Sequence, residues 1–355
     1  MKIKKVAIEE LKPGMRTAKM IENQFGAILV TSGMILDNNL IDKLKRTGLF
    51  QVEIIDEAEE ELERNQNKFT EQYTDSVENI KTMFSEVQDK DKLNFSNIKN
   101  IAENSLEMDT NRDIVTMLSL IRDVDEYTYT HSVNVGLLAM LFGRWAGLSD
   151  QKIKELLYAG MLHDIGKAKI SDEILNKKGK LTDEEFDIIR RHTVYGYDLA
   201  RKCKLVSDSV SRGILMHHER NNSSGYPFGF SKKKIPFIAR VLAIVDTYDA
   251  MTSDRVYKGH RPPFEVFKVF EEDLHSYDLM LSKIFMTNMA QFYLGEMVEL
   301  SNDWMGEIVY INPNQISKPI VKVGEQFIDL SENGLEIKEL YVQTDIQDAD
   351  ILGDL

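Results

Sequence analysis

From Asp56 onward the chain meets no proline until Pro227, and this most narrows what it can fold into. Proline breaks a helix by removing a backbone donor and clashing one turn back, so its absence leaves long helices open. The apolar residues use that freedom. Val77, Ile80, Met83 and Phe84, then Ile98, Ile101, Ala102 and Leu106, keep i, i+3, i+4 spacing. From Ile114 to about Tyr293 the pattern stays nearly all helical. Thr182 to Glu185 forms a capping box that opens a helix running through Ile188 and Ile189 to His192. Ser149 or Asp150 can cap a helix carrying Leu156, Leu157 and Met161 toward His163, and Ser207 or Asp208 one leading to His217. Pro236 stands where a helix can begin, and Ile238, Val241, Leu242 and Val245 give that helix one apolar face ending at Asp246.

The flanks read differently. The segments 15 to 21 and 27 to 30 flank a hairpin-like turn ending in Gly26, and Ser32-Gly33 makes another turn. Residues 38 to 44 are helical in pattern, Gly48 ends that helix, and Gln51 to Ile55 return as a strand. Residues 1–56 are thus a small α/β unit with no catalytic clustering, regulatory or dimerising in role. Residues 57–113 open on an acidic run and read as a helical linker with a solvated or dimerising face. After Gly295, the segments 297 to 300, 306 to 311 and 319 to 323 read as short strands, so residues 295–355 form a small β extension with an acidic tail. The expected fold class is mainly α: a helical bundle over residues 114–294 with these three appendages.

A formal net charge of −14 argues against a binder of nucleic acid polymers, which would show a basic face. An acidic protein that handles phosphates must gather its cations locally. Cys203 is the one cysteine, which excludes an internal disulfide and suits a reducing compartment, where it reads as a small buried hydrophobe. The N-terminal lysines have no apolar run behind them, unlike a signal peptide. The most apolar stretch, 135 to 142, is too short to span a bilayer, so a cytoplasmic protein is expected.

Chemistry gathers around His163-Asp164, beside which Gly166 is expected to stop the helix. Five of the seven histidines lie between His131 and His218, each near the end of an expected helix: His131, His163, His192, His217 and His218. Asp246 ends another helix, and Asp249 follows one turn later. A bundle can aim such residues at one point from several helices. Buried histidines satisfied by carboxylates could account for one or two of these positions, but not for five with two aspartates. The set exceeds what one tetrahedral ion needs, so two metals bridged by Asp164 are the economical account. Lys167, and the pair Arg255 and Lys258, add cations of the kind a phosphoester needs on its non-bridging oxygens.

These residues carry a family resemblance. The sequence resembles the HD-GYP subgroup of the HD-superfamily metal-dependent phosphohydrolases, over roughly residues 114 to 293. The matching residues are Tyr127-Thr128, His131-Ser132 and Asn134-Val135, the block His163 to Lys167, His192, His217-His218-Glu219, Gly225-Tyr226-Pro227 and the run Ile244 to Arg255. The resemblance implies an HD-type bundle and a phosphodiesterase that hydrolyses cyclic di-GMP to linear pGpG or to GMP. It implies His131, His163, Asp164, His192, His217, His218 and Asp246 as metal ligands, with two divalent ions per chain, Fe or Mn. A metal-bridging hydroxide would attack phosphorus while the metals and Lys167 take up developing charge. Arg255, Lys258, Tyr226 and Asp249 would contact the dinucleotide. Beyond the dinucleotide, a second copy of the chain, or a protein docking on the Tyr226 loop or the N-terminal unit, are the candidate partners.

Two departures modify the expectation. Tyr127 stands where some members carry a Glu that recruits a third metal, so two are expected. Asn222-Ser223 stand where the family usually has Asp-Gly, which should stiffen or reshape the loop over the substrate. The altered loop favours an alternative, a binding or scaffold protein that keeps the fold. A third reading is an HD phosphodiesterase for another cyclic dinucleotide.

Overall fold

A computed structural model describes residues 3–22, 28–55, 59–106, 115, 127–177, 179–253 and 261–341. The N-terminal unit comprises β1 (Ile3–Ala7), β2 (Arg16–Thr17), β3 (Ile21–Glu22), β4 (Ile28–Val30), α1 (Asn38–Lys45) and β5 (Gln51–Ile55). Strand β5 returns antiparallel between β1 and β2, with Val6 opposite Val52. Strands β3 and β4 pair antiparallel, as the hairpin pattern implies, while the turn itself (23–27) lies outside the described residues. Helix α1 is capped by Asp37, whose carboxylate accepts the Leu40 N–H at 2.7 Å. Its Leu40, Ile41 and Leu44 close a small core with Val6, Leu36, Val52 and Ile54.

Next come α2 (Glu59–Lys90) and α3 (Phe95–Leu106). The stretch expected as a linker is helical over 59–90 and 95–106, and it does more than connect. The apolar spacing read from the sequence places Tyr73, Val77, Ile80, Met83, Phe84 and Val87 of α2, with Phe95, Ile98 and Ile101 of α3, in the core of the main bundle.

That bundle is built from α4 (Tyr127–Trp145), α5 (Asp150–Leu162), α6 (Asp172–Leu175), α7 (Asp183–Arg190), α8 (His192–Lys202), α9 (Asp208–Met216), α10 (Phe237–Thr252), α11 (Pro263–Glu272) and α12 (Leu279–Ala290). The capping box at Thr182 and Glu185 forms, and Ser207 caps α9 through the Val210 N–H. Helix α4 is buried from Thr130 to Gly143, as its apolar sequence on all faces requires. It meets α5 backbone to backbone. A Cβ on Gly160 would lie 2.6 Å from the Gly136 Cα and 2.7 Å from the Val135 carbonyl, so only glycine permits this approach. The contact brings His131 and His163 together, with ring centroids 5.1 Å apart. Helix α10 does not end at Asp246 as expected but continues to Thr252, because no breaker intervenes, and Asp246 and Asp249 therefore share one face.

The β extension holds β6 (Met297–Leu300), β7 (Met305–Tyr310), β8 (Ile320–Val323), β9 (Gln326–Asp329), the short α13 (Leu330–Asn333) and β10 (Ile337–Tyr341), in antiparallel order β10-β6-β7-β8-β9. The last two strands were not expected; β9 arises because a two-residue turn at Gly324-Glu325 folds the chain back on β8. Val298, Ile308, Val321 and Leu340 join the bundle core. The acidic tail beyond 341 lies outside the described residues. The N-terminal unit meets this sheet through a Lys43–Glu307 ion pair, beside a cavity of about 240 Å³ lined by Leu40, Leu44, Leu294 and Ile308 among others. Among the described residues no helix is long and apolar enough to cross a membrane.

Because Ile80 is fully buried at the junction of α2 and the bundle, Ile80→Ala should destabilise the protein by about 2–5 kcal/mol. Urea denaturation checks this; an unchanged midpoint would show that α2 does not belong to the bundle core.

Candidate metal centre

Three of the five histidines stand just past the last turn of a helix, where backbone carbonyls lack partners. His163 follows α5, His192 follows α7, and His217 follows α9. In each, Nδ1 donates to the carbonyl three residues back: Gly160 at 2.6 Å, Ile189 at 2.7 Å and Ile214 at 2.7 Å. A carbonyl only accepts, so Nδ1 carries the proton and Nε2 is left with its lone pair. His131 departs from the expected helix-end position: it lies one turn inside α4, and its Nδ1 bonds to Asp249 Oδ2 at 2.7 Å.

The Nε2 atoms converge on two carboxylates. Asp164 Oδ2 lies 3.2 Å from His163 Nε2 and 3.7 Å from His131 Nε2, and its Oδ1 lies 3.3 Å from His192 Nε2. Asp246 Oδ1 is 3.1 Å from His131 Nε2 and 3.9 Å from His163 Nε2, with Oδ2 3.8 Å from His218 Nδ1. His192 and His217 bring their Nε2 atoms to 3.4 Å. Two groups have ligand atoms within 4.8 Å of one another: Asp164, His192, His217 and His218, and His131, His163 and Asp164. Asp164 belongs to both.

The protonation states suit cation binding. Burial lowers the His192 imidazole to about 4, and holds His217 and His218 well below the ordinary histidine value, so all three are neutral. Burial opposes the charge on Asp164, but His163 and Lys167 outweigh it and keep the carboxylate well below the usual range. Asp246 is held down against burial by its hydrogen bond to His131 and by His218. Burial also opposes charge on His131, yet its bonds to Asp246 and Asp249 raise it to about 9. The Nε2 proton facing Asp246 is the one a metal ion would replace. His163 Nε2 and Asp164 Oδ1 are buried with no hydrogen bond at all, an arrangement that is costly unless something else occupies those lone pairs. By donor chemistry and by these unused atoms, the cluster fits imidazole- and carboxylate-binding divalent metals.

Lys167 Nζ donates to Asp164 Oδ2 at 2.5 Å. Gly166 is not a helix stop, since α5 has already ended at Leu162. It lies in a 3-10 turn (Ile165–Lys169) packed on α8, where a Cβ would fall 1.9 Å from the His192 carbonyl. Tyr226 lays its ring against His218 at 4.7 Å, bordering the cluster. Asp249 is corrected from a substrate contact: it is 5% exposed, and its oxygens are taken by His131 and by Asn134 Nδ2 at 3.0 Å. Buried behind His131, it orients that ring. Arg255 and Lys258 lie outside the described residues.

Sequence reasoning gave no role to three residues that shape the site. Asn134, one turn after His131, holds Asp249. Arg190 stacks its guanidinium over Phe186 at 4.5 Å and Tyr226 at 5.4 Å, adding a cation at the rim. Glu219, 2% exposed, accepts the Phe228 and Phe230 N–H groups at 2.7 and 2.8 Å and so ties down the loop after the paired histidines. Glu219 stands in the matched block beside His218 and Arg190 two residues before His192, and those positions are the signals that could have marked them.

Residues 116–281 match the HD domain family. A cyclic di-GMP phosphodiesterase of Pseudomonas aeruginosa is 39% identical over 209 residues, covering 58% of this chain and 50% of the relative. One of Thermotoga maritima is 39% identical over 160 residues, covering 45% and 43%. A 3′3′-cGAMP-specific phosphodiesterase of Vibrio cholerae is 30% identical over 192 residues, covering 53% and 44%. The chain spans about half the length of the curated relatives it matches.

Ser223 adopts φ +67°, the left-handed conformation that glycine holds without penalty. The loop thus keeps a glycine-type backbone, and Asn222 pins it by accepting from the Ser224 N–H at 3.1 Å. A side chain in this region costs roughly 1–2 kcal/mol. Ser223→Gly should therefore stabilise the protein by about 1 kcal/mol after the entropy of the unfolded glycine is set against it, read as a higher melting temperature; a lower one would contradict the strain.

Proposed function

With an HD domain at residues 116–281 as the premise, we propose that this chain is a cytoplasmic metal-dependent phosphodiesterase that hydrolyses cyclic di-GMP to linear pGpG or GMP. The observation that carries this reading is the buried convergence of five imidazoles on Asp164 and the neighbouring Asp246, with Lys167 bonded to Asp164, the carboxylate both ligand groups share. The names of the Pseudomonas and Thermotoga relatives support the substrate.

His131, His163, Asp164, His192, His217, His218 and Asp246 would hold two divalent ions, Fe or Mn. When bound, such ions polarise a phosphodiester and make hydroxide available near neutral pH. The chain does the rest. The helix-end carbonyls fix the histidine tautomers, so no ring must turn over during the reaction. The Lys167 ammonium, with its side chain 26% exposed, reaches from Asp164 toward solvent and can meet a phosphate oxygen. Tyr226 and Arg190 form a rim where a guanine base and a phosphate find a ring and a cation. Arg255 and Lys258 are proposed as further substrate contacts. A mixed purine dinucleotide is the second reading, favoured by the Vibrio relative's name.

Protein purified without oxygen and supplied with Fe or Mn should hydrolyse cyclic di-GMP with about two metals per chain. Asp164→Ala should lose both metal and turnover. Lys167→Ala should keep its metal and lose about 10²- to 10³-fold in kcat. An Asp164→Ala protein that still hydrolysed the substrate would sink the site assignment, and tight binding without turnover at full metal loading would make the protein a receptor. Preferential turnover of 3′3′-cGAMP would establish the second reading.

A further inference from the structure

We propose that Tyr73, on α2 and outside the matched HD domain, is a positioning residue for His131, acting through Asn134 and Asp249. The inference rests on the reading of His131 as a metal ligand. The Tyr73 hydroxyl donates to Asn134 Oδ1 at 2.7 Å. Asn134 Nδ2 donates to Asp249 Oδ1 at 3.0 Å, and Asp249 Oδ2 accepts from His131 Nδ1 at 2.7 Å. All four side chains are buried: Tyr73 is 3% exposed, Asn134 8%, Asp249 5% and His131 3%.

The direction of each bond follows from the groups. Asp249 is a carboxylate and can only accept, so Asn134 must present its NH₂ to Asp249, which turns its carbonyl oxygen toward Tyr73. Tyr73 supplies the one donor on this path that can hold the amide in that orientation. Without the hydroxyl, the Asn134 oxygen is left buried and unpaired, and nothing on that side holds the amide in place. The Asn134–Asp249 bond then loosens, and with it the anchor of the His131 ring. Buried chains of this kind act together rather than as separate pairs. Helix α2 also leads out of the N-terminal unit, so the relay gives that unit a physical line to one imidazole of the cluster.

The hydroxyl, rather than the ring, is the acting group, so Tyr73→Phe is the informative change. In full-length protein stripped of metal by chelation, Mn²⁺ titration should show Tyr73→Phe weakening affinity by about 3- to 10-fold, below the 10- to 100-fold expected for the direct partner change Asp249→Ala. In the Asp249→Ala background, Tyr73→Phe should add nothing. The metal-free melting temperature, taken on the same samples, separates this from a packing role, which would lower stability and leave Mn²⁺ affinity unchanged. Unchanged affinity, or an additive loss in the double variant, overturns the relay. NMR of histidine-labelled metal-free protein reads the His131 Nδ1 proton directly. Should wild-type protein bind no Mn²⁺ while Tyr73→Phe still shifts or loses that proton signal, the relay stands and the metal reading fails. A signal indifferent to Tyr73→Phe refutes the relay in either case.

Discussion

Just past the end of each of three helices in this bundle stands a histidine whose Nδ1 bonds back to a carbonyl of that helix's last turn, and the rest of the site depends on that arrangement. A helix terminus buried in a core needs a donor for its carbonyls, and an imidazole Nδ1–H supplies one locally. The same bond selects the tautomer and aims Nε2 away from the helix. Helix termination and ligand preparation are therefore a single event. The three helices need only point their ends at a common centre, which the Gly136–Gly160 contact and the packing of Gly166 against α8 allow.

Burying this many polar groups would be unfavourable if each were charged or unpaired. The cluster resolves the conflict by dividing protonation states. His192, His217 and His218 are driven neutral by burial, while Asp164 and Asp246 stay ionised because imidazoles and Lys167 surround them. His131, between Asp246 and Asp249, keeps the cationic form. What remains unsatisfied, His163 Nε2 and Asp164 Oδ1, faces the place where the ligand groups overlap. A site already arranged for a divalent cation leaves little reorganisation for the moment of binding.

The accessory segments are built into the bundle rather than strung beside it. Tyr73 to Val87 of α2 contribute to the main core, as do Val298, Ile308 and Val321 of the sheet. Among the described residues the N-terminal unit alone keeps a core of its own, and it touches the sheet through Lys43 and Glu307.

The sequence by itself determined the helical class, the capping box at Thr182, the strand at Gln51 to Ile55, and the seven residues that meet at the centre. The first three are local facts of periodicity, caps and strand pattern; the clustering of five histidines with nearby aspartates was legible in their spacing, and the set of seven was implied by the family resemblance. It did not determine that Asp249 stands behind His131, that Gly166 is there for a close approach, or that Strand β9 returns on β8. Nor could it link Tyr73 to Asn134, 61 residues apart. These were decided by tertiary packing, because a hydrogen bond between distant segments leaves no spacing in the chain. Asp246 and Asp249 share one face of α10, and only the packing of that face against α4 sets Asp249 behind His131, bonded to its Nδ1 and to Asn134.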